Sequence, residues 1–288
     1  MRSWLANPWG KPRFLVLVTW GYIVWSIVPV AIAILFSFNA GRSRSVWQGF
    51  SLRWYWSDQG SVWNDPTLRS ALEQSLRLAA LDMAIAVPLG VTLALGLTRW
   101  RGYGARPVNL LMLFPLVTPE IVMAVSLLLV FVTLYGVALG TTAQVLGQVT
   151  FSVSYVVLIV RSRLLSIGRQ YEEAATDLGA SPLSALRLVL LPLLAPAILA
   201  SFMVVFALSI DDFVVTDYLS SDVSTQTVPI KIYSTVRGTT TPALNALATV
   251  MVVTTLLAIT VAYLVYRNFG KWNVGESSAL HDIASLEV

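Results

Sequence analysis

Apolar residues in this chain come in long unbroken runs separated by short polar stretches, and run length decides more here than any helical or strand-like period. Runs at about 14–36, 68–98, 108–134, 141–165, 191–216 and 243–267 are each long enough to cross the hydrocarbon core of a bilayer as a helix. In hydrocarbon every backbone N–H and C=O must be satisfied within its own segment. The pattern therefore predicts an all-α integral membrane protein with six transmembrane helices. Residues 1–13 form a polar N-terminus, 166–190 a hydrophilic loop, and 269–288 a polar tail whose last part, 275–288, is expected to fray. The stretch 37–67 is polar but carries Trp47, Trp54, Tyr55, Trp56 and Trp63, which suits a structured loop at a membrane interface. A cleaved signal peptide is the rival reading of the first run. That run is too long for one and no small-x-small cleavage site comes after it at the usual distance, so it is expected to stay as a first helix.

Composition agrees with this picture. Of 288 residues 56% are hydrophobic and 12% charged, and mean hydropathy is +0.73; soluble domains carry about twice that charged fraction. With no cysteine, disulfide and thiol chemistry are excluded, and the single histidine, His281 in the tail, removes most metal and triad schemes. The net charge of +4 sits at the edges of the apolar runs, which speaks for a lipid bilayer and against nucleic acid as the partner. Arg2, Lys11 and Arg13 precede the first run; Arg99, Arg101 and Arg106 fill the loop after the second. Arg161, Arg163, Arg169 and Arg187 flank the 166–190 loop, and Arg267 and Lys271 come after the last run. The positive-inside rule places both termini and these loops in the cytoplasm, with the uncharged loop 135–140 outside. The first loop fits least well, carrying Arg42, Arg44 and Arg53 beside Asp58 and Asp65.

Carboxylates within the apolar runs are costly unless they meet water, a partner or a substrate, so each is a candidate for function. Glu120 lies about twelve residues into the third run, ~18 Å along a helix. Asp211 and Asp212 lie in the outer half of the fifth run, and Asp82, in the second, is a weaker candidate. Three acids with few embedded bases suggest a cation path. Bland readings stand beside this one. Glu120 could serve backbone groups freed by Pro115 and Pro119. Asp211 and Asp212, ~100° apart on a regular helix, cannot both face one ligand unless that helix is broken. Asp82 could pair with an arginine of another subunit, and Glu73 with Arg77 is expected as a local ion pair.

The segment Glu172-Glu173-Ala174-Ala175-Thr176-Asp177-Leu178-Gly179-Ala180-Ser181-Pro182 reads as two short helices joined by a turn. Gly179 ends the first, Ser181 caps the second with Pro182 at its first position, and Pro192 bends that second helix as it enters the next apolar run. The segment resembles the EAA loop of ABC-importer permeases: E-A-A, three residues, Gly, nine residues, then I-x-L-P. Here Glu173-Ala174-Ala175, Gly179 and Val189-Leu190-Leu191-Pro192 keep every spacing, with Val in place of Ile.

Further segments sharpen the resemblance. They are Arg53-Trp54-Tyr55, Pro119-Glu120-Ile121-Val122-Met123-Ala124, Ser209-Ile210-Asp211-Asp212-Phe213-Val214-Val215, Val228 to Ser234, and Asn245-Ala246-Leu247-Ala248-Thr249. Together they are similar to the second permease subunit of spermidine/putrescine importers, the PotC type, over roughly residues 14–267. The resemblance implies a MetI-like, type I importer fold and a homologous permease partner. It also implies two copies of a cytoplasmic ABC ATPase on the EAA loops, an extracytoplasmic polyamine-binding protein, and a prokaryotic cytoplasmic membrane. Glu172, Glu173, Ala174, Ala175, Asp177, Gly179, Ala180, Ser181, Pro182 and Pro192 would then couple to the ATPase, and Glu120, Asp211 and Asp212 would line the path. Asp82 has no counterpart in the family pattern.

A polyamine carries an ammonium at each end, so carboxylates can neutralise it while Trp54 or Tyr55 offers cation–π contacts; both rings could equally be interface anchors. No G-x-x-x-x-G-K-[ST] occurs, since Gly270-Lys271 is followed by Trp272; no cofactor is expected on this chain, and ATP and Mg²⁺ would belong to the ATPase. Rival readings are a permease for ferric iron or an organophosphonate, and a proton-coupled carrier using the embedded acids. An intramembrane aspartyl hydrolase is disfavoured, because adjacent Asp211 and Asp212 cannot supply opposed carboxylates on a regular helix.

Overall fold

The computed structural model describes residues 13–43, 46–99, 102, 104–236 and 241–284. Arg2, Lys11, Arg44 and Arg101, which enter the charge argument for orientation, lie outside the described residues, as do the last four residues of the tail. In chain order the helices are α1 (Arg13–Ser37), α2 (Arg53–Trp56), α3 (Pro66–Arg99), α4 (Ala105–Val117), α5 (Glu120–Leu129) and α6 (Thr141–Ile167). Beyond these come α7 (Gln170–Asp177), α8 (Pro182–Ala185), α9 (Leu191–Asp211), α10 (Val214–Tyr218), α11 (Val228–Val236) and α12 (Pro242–Ala284). A π-helical turn, Val130–Tyr135, extends α5; a second, Leu186–Leu190, joins α8 to α9; and a 3₁₀ turn spans Val223–Thr225. Five helical stretches are long and apolar enough to cross a membrane, and the bent pair Pro107–Val117 with Glu120–Tyr135 makes a sixth if counted as one span.

That bent pair corrects the expectation of a straight third helix over 108–134. The chain bends by 108° between the two halves. Thr118 and Pro119 are both extended, with ψ of 131° at each. A residue before proline is pushed out of the helical region, and proline cannot donate a backbone bond. Pro115, four residues earlier, stays inside α4, so only the second proline breaks the helix.

The chain divides into two compact units, Met1–Asp65 with Thr239–Val250, and Pro66–Gly238 with Met251–Val288. In the first, α1 exposes large apolar side chains all round, including Phe14, Trp20, Trp25 and Ile32, as suits a helix facing lipid. After it, Asn39 knots the loop. Its amide donates to Ser43 O and Val46 O, and its Oδ1 accepts from Gln48 N. Trp54 and Tyr55 are buried in this knot: Trp54 Nε1 donates to Asn39 O at 2.7 Å, and the Tyr55 hydroxyl meets Ser37 Oγ at 2.8 Å. The Arg53 guanidinium lies over the Trp54 ring at 4.7 Å, donates to Ala40 O and pairs with Asp58 at 2.6 Å. The Gly60 N–H and then Arg53 hold the Asp58 carboxyl below the usual carboxylate range. Neither ring is therefore an exposed interface anchor; both are packed within the loop.

In the second unit α3, α6 and α9 build the core. Leu78, Val87 and Ala94 of α3 meet Val149, Val153, Val156 and Val160 of α6, with Leu190, Leu194 and Val205 closing the third side. Hydrocarbon offers little hydrophobic drive between helices, so small residues that permit close approach matter more. Gly90 is such a point: a Cβ there would lie 2.5 Å from Val156 Cβ. Glu73 pairs with Arg69 at 2.7 Å, one turn before it, not with Arg77 as expected. The backbone of α12 stays helical to Ala284, so the fraying expected from residue 275 is not seen among the described residues.

Candidate functional site

Two helix breaks build the site, one at Thr118–Pro119 and one after Asp211. The fifth apolar run, expected as a span over 191–216, ends as a helix at Asp211; Asp212 is extended (φ −63°, ψ 116°) and α10 starts at Val214. On an unbroken helix Asp211 and Asp212 would diverge. The break removes that restriction, and both line one cavity of about 450 Å³ together with Glu120 and Asp82. Its remaining walls include Gln148, Phe151, Ser152 and Tyr155 of α6, the last turns of α9, and Phe213. All of these belong to the second unit.

The four carboxylates are held differently. Glu120 is the first residue of α5, at the positive end of its dipole, and is exposed. Asp211, at the negative end of α9, is also exposed. Asp212 is engaged: Oδ1 accepts from Val215 N at 3.0 Å and so caps α10, while Oδ2 accepts from Gln148 Nε2 at 3.1 Å. Asp82 is fully buried and its Oδ2 accepts from Ser152 Oγ at 2.7 Å. With four acids and the carbonyl end of a helix at one cavity, the site is suited to a cation. Phe151, Tyr155 and Phe213, rather than Trp54 and Tyr55, supply its ring faces.

Behind the carboxylates runs a polar stripe on α6 that sequence reasoning missed. Gln144, Gln148 and Ser152 recur at intervals of four, so they share one helix face. Gln148 also exchanges hydrogen bonds with Ser209, donating to its carbonyl at 3.3 Å and accepting from its hydroxyl at 2.8 Å. Gln144 accepts from Gln74 and donates to the carbonyls of Thr216 and Thr225, tying α3, α10 and the 3₁₀ turn to α6. Three polar residues at helical spacing inside an otherwise apolar run are a legible signal, overshadowed here by the charged positions.

The hydrophilic knob forms as expected. Glu172, Glu173, Ala174, Ala175 and Asp177 lie on α7, with Ala175 buried. Gly179 has φ +84°, a conformation that other L-residues adopt only with strain, and Ala180 N closes the turn on Ala175 O. Ser181 caps α8 by accepting from Ser184 N, and Pro182 stands at its first position. Pro192 does not end the helix. The π-helical turn Leu186–Leu190 just before it absorbs the missing donor, and the stretch Pro182–Asp211 continues as one span. Arg99 at the end of α3 pairs with Glu172, anchoring the knob to the core. Leu178, Leu183 and Leu188 remain well exposed around it.

Residues 86–273 match the family model described as binding-protein-dependent transport system inner membrane component. The spermidine/putrescine transport system permease protein PotC of Escherichia coli (strain K12) is 36% identical over 249 residues, covering 86% of this chain and 92% of that protein. The putrescine transport system permease protein PotI of the same strain is 35% identical over 254 residues, 86% of each chain. Among solved structures, a bacterial ABC transporter involved in alginate import aligns with a TM-score of 0.70 at 14% identity, covering 88% of this chain and 95% of that one. An amino acid ABC transporter solved with histidines gives 0.53 at 25% identity, over 72% and 96% of the two chains. The six apolar segments, the knob and these matches agree, and the chain belongs to the family of binding-protein-dependent transport system inner membrane components.

Proposed function

We propose that this chain is the permease subunit of an ATP-driven polyamine importer, and that the cavity carrying Glu120, Asp211 and Asp212 is a station on the substrate's path. The observation that carries this reading is the convergence of carboxylates, ring faces and a helix C-terminus on one cavity, in a chain about a third identical to PotC and PotI. Discontinuous helices whose ends point into a cavity are a general means of holding charged solutes at membrane depth. Glu120 and Asp211, both exposed, meet the substrate ammoniums first; Asp212, held by Gln148 and Val215, fixes the shape of the break and keeps its own carboxylate on the cavity wall. A path must bind weakly enough to release.

In this reading the subunit pairs with a homologous permease and takes polyamine from an extracytoplasmic binding protein. Both termini and the knob face the cytoplasm. Two copies of an ABC ATPase, which carry the ATP and Mg²⁺, receive the α7–α8 knobs. ATP binding draws the knobs together and rocks the permease pair; hydrolysis resets it. The test is uptake of radiolabelled spermidine and putrescine into proteoliposomes holding the full complex. Uptake that needs ATP and survives an uncoupler supports the reading. Uptake that needs a proton gradient and not ATP would assign the acids to a proton relay, and absence of polyamine uptake would point to another solute.

A further inference from the structure

Transport through the exposed acids leaves one group in the cavity unused. Asp82 is fully buried, lines the cavity and accepts from Ser152 Oγ at Oδ2, and among the described residues its Oδ1 has no hydrogen-bond partner. A buried carboxylate oxygen without a partner is among the more costly features a fold can keep, because the full desolvation of that atom goes uncompensated. An ammonium that enters the cavity and meets this oxygen would offset that cost. Among the described residues, no basic side chain lines the cavity.

The position of Asp82 adds a second, independent point. It is tied to α6 through Ser152, whereas Asp212 is tied to α6 through Gln148, four residues earlier. Four residues of helix rise about 6 Å. Two carboxylates are thus hung on one helix face about one turn apart, Asp212 toward the Thr141 end and Asp82 toward the knob. In an extended alkyl diamine, three or four methylenes set the two nitrogens ~5–6 Å apart by ordinary bond lengths. Phe151 and Tyr155 of the same helix bring apolar ring surface to the cavity, as a methylene spacer requires.

Building on the proposed polyamine path, we propose that Asp82, oriented by Ser152, is a second ammonium station that measures the spacing between adjacent nitrogens and so selects diamines and triamines with three- or four-carbon spacers over monoamines and longer diamines. Ser152 is a positioning residue: its hydroxyl holds Oδ2 and leaves Oδ1 to accept from an ammonium. Asp82→Asn keeps the shape but cannot neutralise an ammonium, and Ser152→Ala leaves the carboxylate unoriented.

The experiment uses the reconstituted complex with its binding protein, with uptake normalised to the complex recovered. Wild type is compared with Asp82→Asn, Asp82→Glu and Ser152→Ala for labelled putrescine and spermidine. Asp82→Asn is expected to lower uptake about tenfold, Ser152→Ala less, and Asp82→Glu to shift preference toward shorter spacers. Wild-type uptake in Asp82→Asn, or an equal loss with no change in spacer preference in Asp82→Glu, would overturn the proposal. A second arm needs no variant: unbranched α,ω-diamines of three to eight carbons and butylamine are tested for thermal stabilisation of the wild-type complex lacking the binding protein. An optimum at three to four carbons, with butylamine ineffective, is expected; a dependence flat in chain length would overturn it. If wild type transports no polyamine at all, the polyamine reading fails; if it transports polyamines but shows neither effect, only the Asp82 station fails.

Discussion

Replacing Gln148 by leucine removes the side chain that holds the second helix break in shape. Leucine is of similar volume, so packing with the α6 face is largely kept and the change isolates the polar contacts. Three hydrogen bonds are lost: one donated to the Asp212 carboxylate at 3.1 Å, one donated to Ser209 O at 3.3 Å, and one accepted from Ser209 Oγ at 2.8 Å. A bond to a charged group contributes about 1.5–3 kcal/mol and a neutral one about 0.5–1.5 kcal/mol in soluble proteins. Within membranes, measured interhelical bonds average only about 0.6 kcal/mol, which brings the summed loss for three bonds to about 2 kcal/mol. Asp212 would keep its bond from Val215 N, so α10 stays capped and the loss falls on the α6–α9 contact. The assay is paired: thermal unfolding of the purified complex and polyamine uptake in proteoliposomes. A clear drop in melting temperature with strongly reduced uptake is expected, and Gln148→Glu, which sets a carboxylate against Asp212, should be worse in both. Unchanged melting and uptake in Gln148→Leu would refute the claim that this glutamine organises the site.

Contacts elsewhere in the fold set further expectations. Gly90→Ala gains helix propensity worth about 1 kcal/mol but drives a Cβ to 2.5 Å from Val156 Cβ, a buried branched side chain that cannot swing away. Overpacking at about 1–3 kcal/mol should therefore leave a net loss, seen as a lower melting temperature, and paired Gly90→Ala with Val156→Ala should recover part of it. Gly179→Asp, at φ +84°, should distort the knob and abolish co-purification of the ATPase while leaving membrane insertion intact. Trp54→Ala removes a buried ring and its bond to Asn39 O, for an expected loss of about 3–5 kcal/mol in stability, whereas Trp54→Phe should retain polyamine uptake with an unchanged KM. A raised KM in Trp54→Phe would return that ring to the substrate path.

How far the fold and the site are legible in the sequence depends on which physical rule governs each segment. Span lengths come from apolar content alone, so α1, α3, α6, α9 and the apolar part of α12 are readable to within a few residues. The knob is readable because glycine, serine and proline each impose a local backbone state there. The breaks are harder. Pro115 and Pro119 look alike in sequence, yet only the second interrupts its helix, and nothing local to Ile210-Asp211-Asp212-Phe213 announces the end of α9. Depth and charge alone make Asp82 a weak candidate, because they do not reveal its neighbours; Ser152, 70 residues on, gives it a place in the site. Trp54 and Tyr55 err the other way. Aromatic density suggests exposure, while the hydrogen bonds to Asn39 and Ser37 that bury both rings depend on how the loop closes.

In the proposed function, the carboxylates gathered by the two helix breaks carry polyamine across the membrane. Its most direct test is ATP-dependent uptake of spermidine and putrescine by the full complex carrying Glu120→Gln or Asp211→Asn, measured against wild type at equal complex recovery. Wild type is expected to take up polyamine, and each substitution to lower the rate at least severalfold. Uptake at the wild-type rate in both variants would contradict it.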